Sequence, residues 1–223
     1  MKTLAAQEIA KRVKSGDIIG VGTGTTVDLA IDAIAKRCRD EQLNILVVPS
    51  SRDSAIKCEC AGLKVLAPTY SGPIIWGFDG ADEVDSELNL IKGRGGAMLK
   101  EKILAKKCSS FIVIVDESKL VEKLGQGGIP IEVIPEAQGL VSKLLKEIGA
   151  TEIMLREGSG KHGAVVTEAG NVILDVKFKS FSKSLERDIK TLVGVVESGL
   201  FVELCAEVIV ASATGVRILK RKH

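Results

Sequence analysis

Apolar positions in the first half of the chain follow two alternating periods. Residues 17–21 (DIIGV) and 43–48 (LNILVV) are short continuous apolar runs, the signature of buried strands. Between them, residues 26–37 carry Val27, Leu29, Ala30, Ala33 and Ile34 at helical spacing. The same alternation predicts a helix over 53–61, strands over 63–66 and 74–78, a helix over 97–107 and a strongly apolar strand over 111–115 (FIVIV). Strands apolar throughout, separated by helices, predict a parallel sheet covered on both faces. The first 17 residues read as an amphipathic helix through Leu4, Ile9 and Val13, without the continuous apolar stretch of a signal peptide.

The pattern changes at the glycine-rich break 125–128. After it come a strand at 131–134, a helix at 136–148 opened by Pro135, and a strand at 152–155. The polar stretch 158–163 (GSGKHG) separates that strand from another at 164–167, and a turn leads to a strand at 172–176. A helix at 182–191 and a strand at 193–197 complete the set. This order approximates β-α-β-β-α-β, a ferredoxin-like α+β unit with one extra short strand. Two final strands are predicted at 207–211 and 215–219.

Composition narrows the chemistry. At 223 residues the chain accommodates one large domain or two small ones. Lys and Arg number 31 against 29 Asp and Glu, a net charge of +2, which argues against a protein built to grip nucleic acid. Aromatics at 3% leave few platforms for stacking bases. His162 and His223 are the only histidines, which disfavours a Ser-His-Asp triad, a histidine zinc site or a histidine proton shuttle. Proton chemistry in this chain falls to carboxylates and lysines. No run approaches the ~20 apolar residues of a membrane span. The five cysteines (Cys38, Cys58, Cys60, Cys108 and Cys205) read as reduced thiols of a cytoplasmic protein. Cys58 and Cys60 have no second pair or nearby histidine and read as helix residues rather than metal ligands.

Three stretches carry candidate chemistry. Gly20-Val21-Gly22-Thr23-Gly24-Thr25-Thr26 joins a strand to a helix. Its glycines let backbone N–H groups approach an anion, and the helix N-terminus adds partial positive charge, so a phosphate cradle is expected. It is neither a dinucleotide fingerprint nor a Walker A loop, and the bland alternative is a tight turn with a capping threonine. Phe78-Asp79-Gly80-Ala81-Asp82-Glu83-Val84-Asp85 follows a predicted strand, where open α/β sheets bind ligands. Four acids in seven residues repel unless cations, hydrogen bonds or raised pKa values relieve them. That crowding suits acid–base chemistry, a Mg²⁺ site, or merely a solvated acidic turn. Leu90-Ile91-Lys92-Gly93-Arg94-Gly95-Gly96 enters the helix that carries Glu101. Lys92 is placed to stabilise an oxyanion, and Glu101 to reach a loop-bound ligand or simply to pair with neighbouring lysines. Lys119, after the FIVIV strand, is either a second strand-end cation or a surface lysine.

GVGTGTT, GFDGADEVD, NLIKGRGGAMLKEKI, FIVIVDESK, IPIEVIPEA, GNVILDV and GVVESGLF, in this order over nearly the whole chain, resemble ribose-5-phosphate isomerase type A. The resemblance implies interconversion of D-ribose 5-phosphate and D-ribulose 5-phosphate in the non-oxidative pentose phosphate pathway, with no obligatory cofactor or metal. It implies a substrate-binding segment at Thr23, Gly24, Thr25 and Thr26, another at Asp79, Gly80, Ala81 and Asp82, and a third at Lys92, Gly93, Arg94 and Gly95. It places the proton acceptor on Glu101 and a binding lysine on Lys119. Arg94 replaces the family's usual glycine, which would strain a backbone that needs positive φ there. Thr25 replaces a common serine and keeps its hydroxyl, and the N-terminal helix is shorter than usual, so a binding lysine sometimes supplied there has no assigned counterpart.

On this resemblance the expected mechanism is a proton transfer between C2 and C1 by Glu101 through a cis-enediolate. Lys92 offsets the developing charge, and Asp79 or Asp82 opens the sugar ring. The fold implied is a Rossmann-like parallel-sheet domain (1–126 with 205–223) and an inserted ferredoxin-like domain (127–204), in a cytoplasmic homodimer or tetramer. The partner is a small sugar phosphate, with no nucleic acid or membrane. Two alternatives are an amino-sugar-phosphate deaminase, whose ring-opening histidine has no counterpart here, and a non-catalytic sugar-phosphate sensor, for which no DNA-binding segment precedes residue 17.

Overall fold

The apolar runs of the first half become buried strands in the computed structural model, which describes residues 1–160, 162–182 and 184–221, except that the run at 63–66 keeps only a two-residue strand with Lys64 exposed. Lys161 of the polar stretch, Lys183 of the expected helix 182–191, Lys222 and His223 lie outside the described residues. In chain order the elements are α1 (Lys2–Ala10), β1 (Ile18–Val21), α2 (Thr25–Asp40), β2 (Leu46–Pro49), α3 (Arg52–Cys60), β3 (Lys64–Val65) and β4 (Trp76–Asp79). The short strands β5 (Glu83–Val84) and β6 (Leu90–Ile91) precede α4 (Met98–Lys107) and β7 (Phe111–Asp116). Then come β8 (Ile129–Val133), α5 (Gln138–Glu147), β9 (Ala150–Leu155), β10 (Val172–Phe178) and α6 (Leu185–Lys190). The chain ends with β11 (Val195–Ser198), β12 (Leu200–Phe201), β13 (Glu207–Ser212) and β14 (Gly215–Lys220).

Two compact units result. The first comprises Met1–Ala81, Lys100–Leu120 and Glu203–His223. It holds a seven-stranded sheet in the order β14-β13-β7-β4-β1-β2-β3, parallel except for the β13–β14 hairpin. Strand side chains alternate between faces. Ile19, Val21, Val47, Phe78, Ile112, Ile114 and Ile209 pack one face against Ala5 and Ile9 of α1, Val27, Ile31 and Ile34 of α2, and Cys58 of α3. The other face is covered by α4, whose Leu104 packs with Val48 and Ile74. Gly20 and Gly77 are register partners on β1 and β4 and open that face. A Cβ on Gly20 would lie 2.9 Å from Cys108 Sγ, and one on Gly77 would lie 2.5 Å from the same sulfur. The glycine pair is therefore the flat seat on which the end of α4 rests.

The second unit comprises Asp82–Leu99 and Val121–Val202. Its four-stranded antiparallel sheet has the order β11-β8-β10-β9. Ile129, Ile131, Val133, Leu174 and Val176 face Val141 and Leu145 of α5 and Leu185 and Ile189 of α6. The alternate positions, among them Glu132, Ile173 and Asp175, point to the other face. Sequence periodicity missed a three-stranded sheet, β12-β6-β5, because its strands are two residues long. The strand expected at 164–167 forms only isolated bridges, Glu157 with Ala164 and Val166 with Val172. The helix expected from 136 starts as a 3₁₀ turn at Pro135–Ala137. Among the described residues no helix is long and apolar enough to cross a membrane.

Cys58 and Cys60 lie on α3, the first buried and the second exposed. Burial pushes the thiols of Cys58 and Cys205 up to about 12. At about pH 8 these stay protonated and shielded, and thiols react as thiolates. Brief iodoacetamide treatment of the native protein is expected to label Cys60 well before Cys58 or Cys205, read by mass spectrometry. Equal labelling of Cys58 and Cys60 would show that α3 is not seated on the sheet.

Candidate active site

The order of the parallel strands creates a switch point. From β1 the chain moves to β2 on one side, while β4 lies on the other, so the loops after β1 and β4 diverge at their carboxyl ends. Asp79 closes β4 and is fully buried. Its Oδ1 accepts the N–H groups of Thr23 (3.1 Å) and Gly80 (2.7 Å). Opposite it, the Gly22 N–H donates to Phe78 O at 2.8 Å. A Cβ on Gly22 would lie well under 3.0 Å from the Asp79 carboxyl carbon, so only glycine passes here. The two loops are therefore built around one carboxylate.

The threonines of the first loop divide their tasks. Thr23 turns its hydroxyl inward, donating to Ser51 Oγ (2.8 Å) and lying 2.9 Å from Ser50 Oγ. Ser51 caps α3 by accepting the Ser54 N–H, so this cluster ties the first loop to the next βα turn. Gly24, at φ 120°, precedes α2 without a side-chain cap bond, and Gly24 and Thr25 are exposed. That leaves a helix N-terminus able to receive an anion.

Cations border this opening. Lys2, which the sequence pattern did not single out, donates from Nζ to Thr25 Oγ1 at 2.8 Å. Lys119 sits in the 3₁₀ turn Glu117–Lys119 after β7. Asp116 opens that turn by accepting the Ser118 hydroxyl and, at 3.1 Å, the Ser118 N–H. The Ser118 hydroxyl, then its amide, then the charges of Lys119 and Lys2 hold the Asp116 carboxyl below its ordinary range. Lys2 and Lys119 thus bear on the same carboxylate. The only sequence signal for Lys2 was its place in an N-terminal helix.

Glu101 lies in the first turn of α4 and is 5% exposed. Cys108, just past the helix end, bridges to Ile74 before β4 begins, and Leu104 lies over Gly20. The helix therefore runs from the amino end of β4 back toward the carboxyl ends of the strands, and Glu101 is on that end. The first unit gathers Thr23, Gly24, Thr25, Thr26, Asp79, Gly80, Ala81, Glu101 and Lys119 at one edge of its sheet.

The remaining candidates belong to the second unit. The four crowded acids are relieved chiefly by hydrogen bonds. Glu83 accepts the N–H groups of Gly125 and Gly127, each at 2.7 Å, and so folds the glycine-rich break. Asp85 accepts the N–H groups of Glu87 (2.9 Å) and Asn89 (2.8 Å). Both are turn-builders. Asp82 instead accepts the Arg94 N–H at 3.1 Å, with the Arg94 guanidinium 3.8 Å away. Lys92 is 3% exposed, with its ammonium 5.7 Å from the Phe201 ring centre. Its N–H donates to Gly199 O at 2.9 Å, which anchors the loop to the small sheet. Positive φ falls on Gly93 (107°) and Gly96 (76°), not on position 94, so Arg94 carries no backbone strain of that kind. The arginine that holds this loop was not foreseen: Arg156 Nη1 donates to Gly93 O (2.7 Å) and Arg94 O (3.0 Å). The one signal for it was Asp175, an acid set between the apolar Leu174 and Val176 in β10.

A parallel sheet with glycine loops and buried carboxylates at its strand ends is the architecture of an α/β enzyme. The family model for ribose 5-phosphate isomerase A (phosphoriboisomerase A) matches residues 46–215. The ribose-5-phosphate isomerase A of Methanothermobacter thermautotrophicus is 40% identical, covering 99% of this chain and 97% of the relative. The solved structure of ribose 5-phosphate isomerase A from Methanocaldococcus jannaschii superposes with a TM-score of 0.93 at 39% identity, covering 98% of this chain and 97% of that one. A D-ribose-5-phosphate isomerase solved in complex with phospho-erythronic acid gives 0.95 at 38% identity, covering 99% and 97%. The chain belongs to the ribose 5-phosphate isomerase A family.

Gly22→Ala tests the construction of the first unit's loops. Displacing a catalytic group by even about 1 Å costs on the order of 10²-fold in rate, and the added methyl forces Asp79 aside. The expected result is a fall in kcat of that size in a protein that still melts cooperatively. Unchanged turnover would show that Asp79 need not be held where the loop holds it.

Proposed function

We propose that this protein interconverts D-ribose 5-phosphate and D-ribulose 5-phosphate through a cis-enediolate, as a step of the non-oxidative pentose phosphate pathway. The observation that carries the reading is the pair of buried carboxylates, Asp79 and Glu101, at the carboxyl edge of a sheet beside an open glycine–threonine helix start. The relative bound to phospho-erythronic acid supports it, since that ligand joins a phosphate to a planar carboxylate, whose two oxygens resemble those of an enediolate.

In this reading the N–H groups of Gly24, Thr25 and Thr26 take the phosphate, with Lys119 and Lys2 supplying positive charge. Asp79 moves the proton between O1 and the ring oxygen as the furanose opens. Gly80 and Ala81 line the sugar. Glu101 removes the proton from C2 and returns it to C1, so no net charge is gained or lost. Lys92 offsets the negative charge on the oxygens of the intermediate, and Asp82 exchanges protons with the O1 and O2 hydroxyls. The backbone of Gly93, Arg94 and Gly95 contacts the substrate. We read residues 1–126 with 205–223 as the catalytic Rossmann-like domain and 127–204 as a ferredoxin-like insertion. The antiparallel order β11-β8-β10-β9 supports the latter. The enzyme is taken to work in the cytoplasm as a homodimer or tetramer.

Purified protein is expected to form ribulose 5-phosphate from ribose 5-phosphate, and absence of turnover would sink the assignment. Glu101→Gln should lose about 10²–10⁴ in kcat, the size of a general-base contribution. A near-normal kcat would remove Glu101 from the base role. Lys2→Ala and Lys119→Ala should each raise KM more than they lower kcat. An unchanged KM in either variant would take that lysine out of phosphate binding.

A further inference from the structure

The Gly93–Arg94 peptide is gripped from both sides. On its oxygen side, Arg156 Nη1 donates to Gly93 O at 2.7 Å and also to Arg94 O at 3.0 Å. On its nitrogen side, the Arg94 N–H donates to Asp82 Oδ2 at 3.1 Å. The bond is trans, as are all those described, so its C=O and N–H point in opposite directions. Fixing the carbonyl therefore fixes the direction of the N–H. The guanidinium is itself locked by Asp175, whose carboxylate takes Nε at 2.8 Å and Nη2 in a fork. Arg156 and Asp175 keep 15% and 28% side-chain exposure, so the pair is partly shielded from water. The backbone of Arg156 is pinned as well, through Ile173 O at 2.9 Å and Val165 N at 2.8 Å. Asp82, Arg94, Arg156 and Asp175 all line one groove of about 340 Å³.

We propose that Arg156, held by Asp175, is a positioning residue that sets the orientation of the Asp82 carboxylate through the Gly93–Arg94 peptide. The fork of a guanidinium is needed because two carbonyls and a carboxylate are bound at once, which an ammonium cannot do in one plane. Gly93 at φ 107° makes the turn that presents both carbonyls to one arginine. The Arg94 side chain, 62% exposed, is not what holds the loop. The proposal rests on the reading that Asp82 acts on the substrate.

Arg156→Ala is expected to lower kcat by about 10²-fold, the cost of a displaced catalytic group, with KM changed by no more than a few-fold. Millimolar guanidinium, but not ammonium, should restore part of that kcat. In an Asp82→Asn background the same substitution should have almost no further effect. Arg156→Lys, which keeps the charge and is the safer variant for folding, should show the same kcat loss without ammonium or guanidinium rescue. Wild-type kcat in Arg156→Lys and Arg156→Ala overturns the proposal. So does a loss that is undiminished in the Asp82→Asn background, because Arg156 would then act elsewhere. If Asp82→Asn alone keeps full kcat, the reading of Asp82 fails and takes the relay with it. That outcome is distinct from an inert Arg156 beside a damaging Asp82→Asn.

Discussion

Taking an ionised carboxylate out of water costs several kcal/mol unless donors replace the lost water. Asp79 is fully buried, and backbone N–H groups from two different loops converge on its Oδ1. Those amides can converge on one oxygen only if the backbone comes very close, which is why position 22 tolerates no side chain. The same need recurs at Glu83, which draws the amides of Gly125 and Gly127 to itself. Much of the glycine around the candidate site is explained by this electrostatic demand, and not by flexibility.

The demand also separates acids that look equivalent in the sequence. Glu83 and Asp85 hold main-chain turns in place. Asp79 and Asp82 are also hydrogen-bonded to the backbone, but each lies where a loop opens, at the end of β4 or against the loop of Lys92. Backbone amides meet the charge, and different acids are left in different surroundings.

The alternating apolar periods made the parallel sheet legible, because strands buried on both faces leave a continuous mark. Its glycine–threonine loop and its strand-end acids were legible too, since glycine and acid placement at strand ends is local in sequence. What stayed hidden depends on distant pairings. The two-residue strands of the small sheet have no period to detect. Lys2 reaches Thr25 from another helix, 23 residues away. Arg156 finds Gly93 across 63 residues, and its hold depends on an aspartate in a third segment. The strain anticipated at Arg94 did not arise because positive φ is taken by the glycines on either side of it, at 93 and 96.

Within the first unit, exposure grades in a way that suits a phosphorylated substrate. Lys2 and Thr25 are exposed and Lys119 is half-buried, while Glu101 and Asp79 are nearly or fully buried. Charges near water are screened and interact weakly, but they attract an anion from solution at little desolvation cost. Charges away from water interact several-fold more strongly at the same separation. A phosphate held at the exposed rim and carbons reacting at the buried end would use each group in the regime where it is effective. The reverse arrangement, a buried lysine pair for phosphate and exposed carboxylates for proton transfer, would raise the cost of binding and weaken the base. The near-neutral net charge of +2 conceals this gradient, because a total averages over cations and carboxylates that differ in exposure.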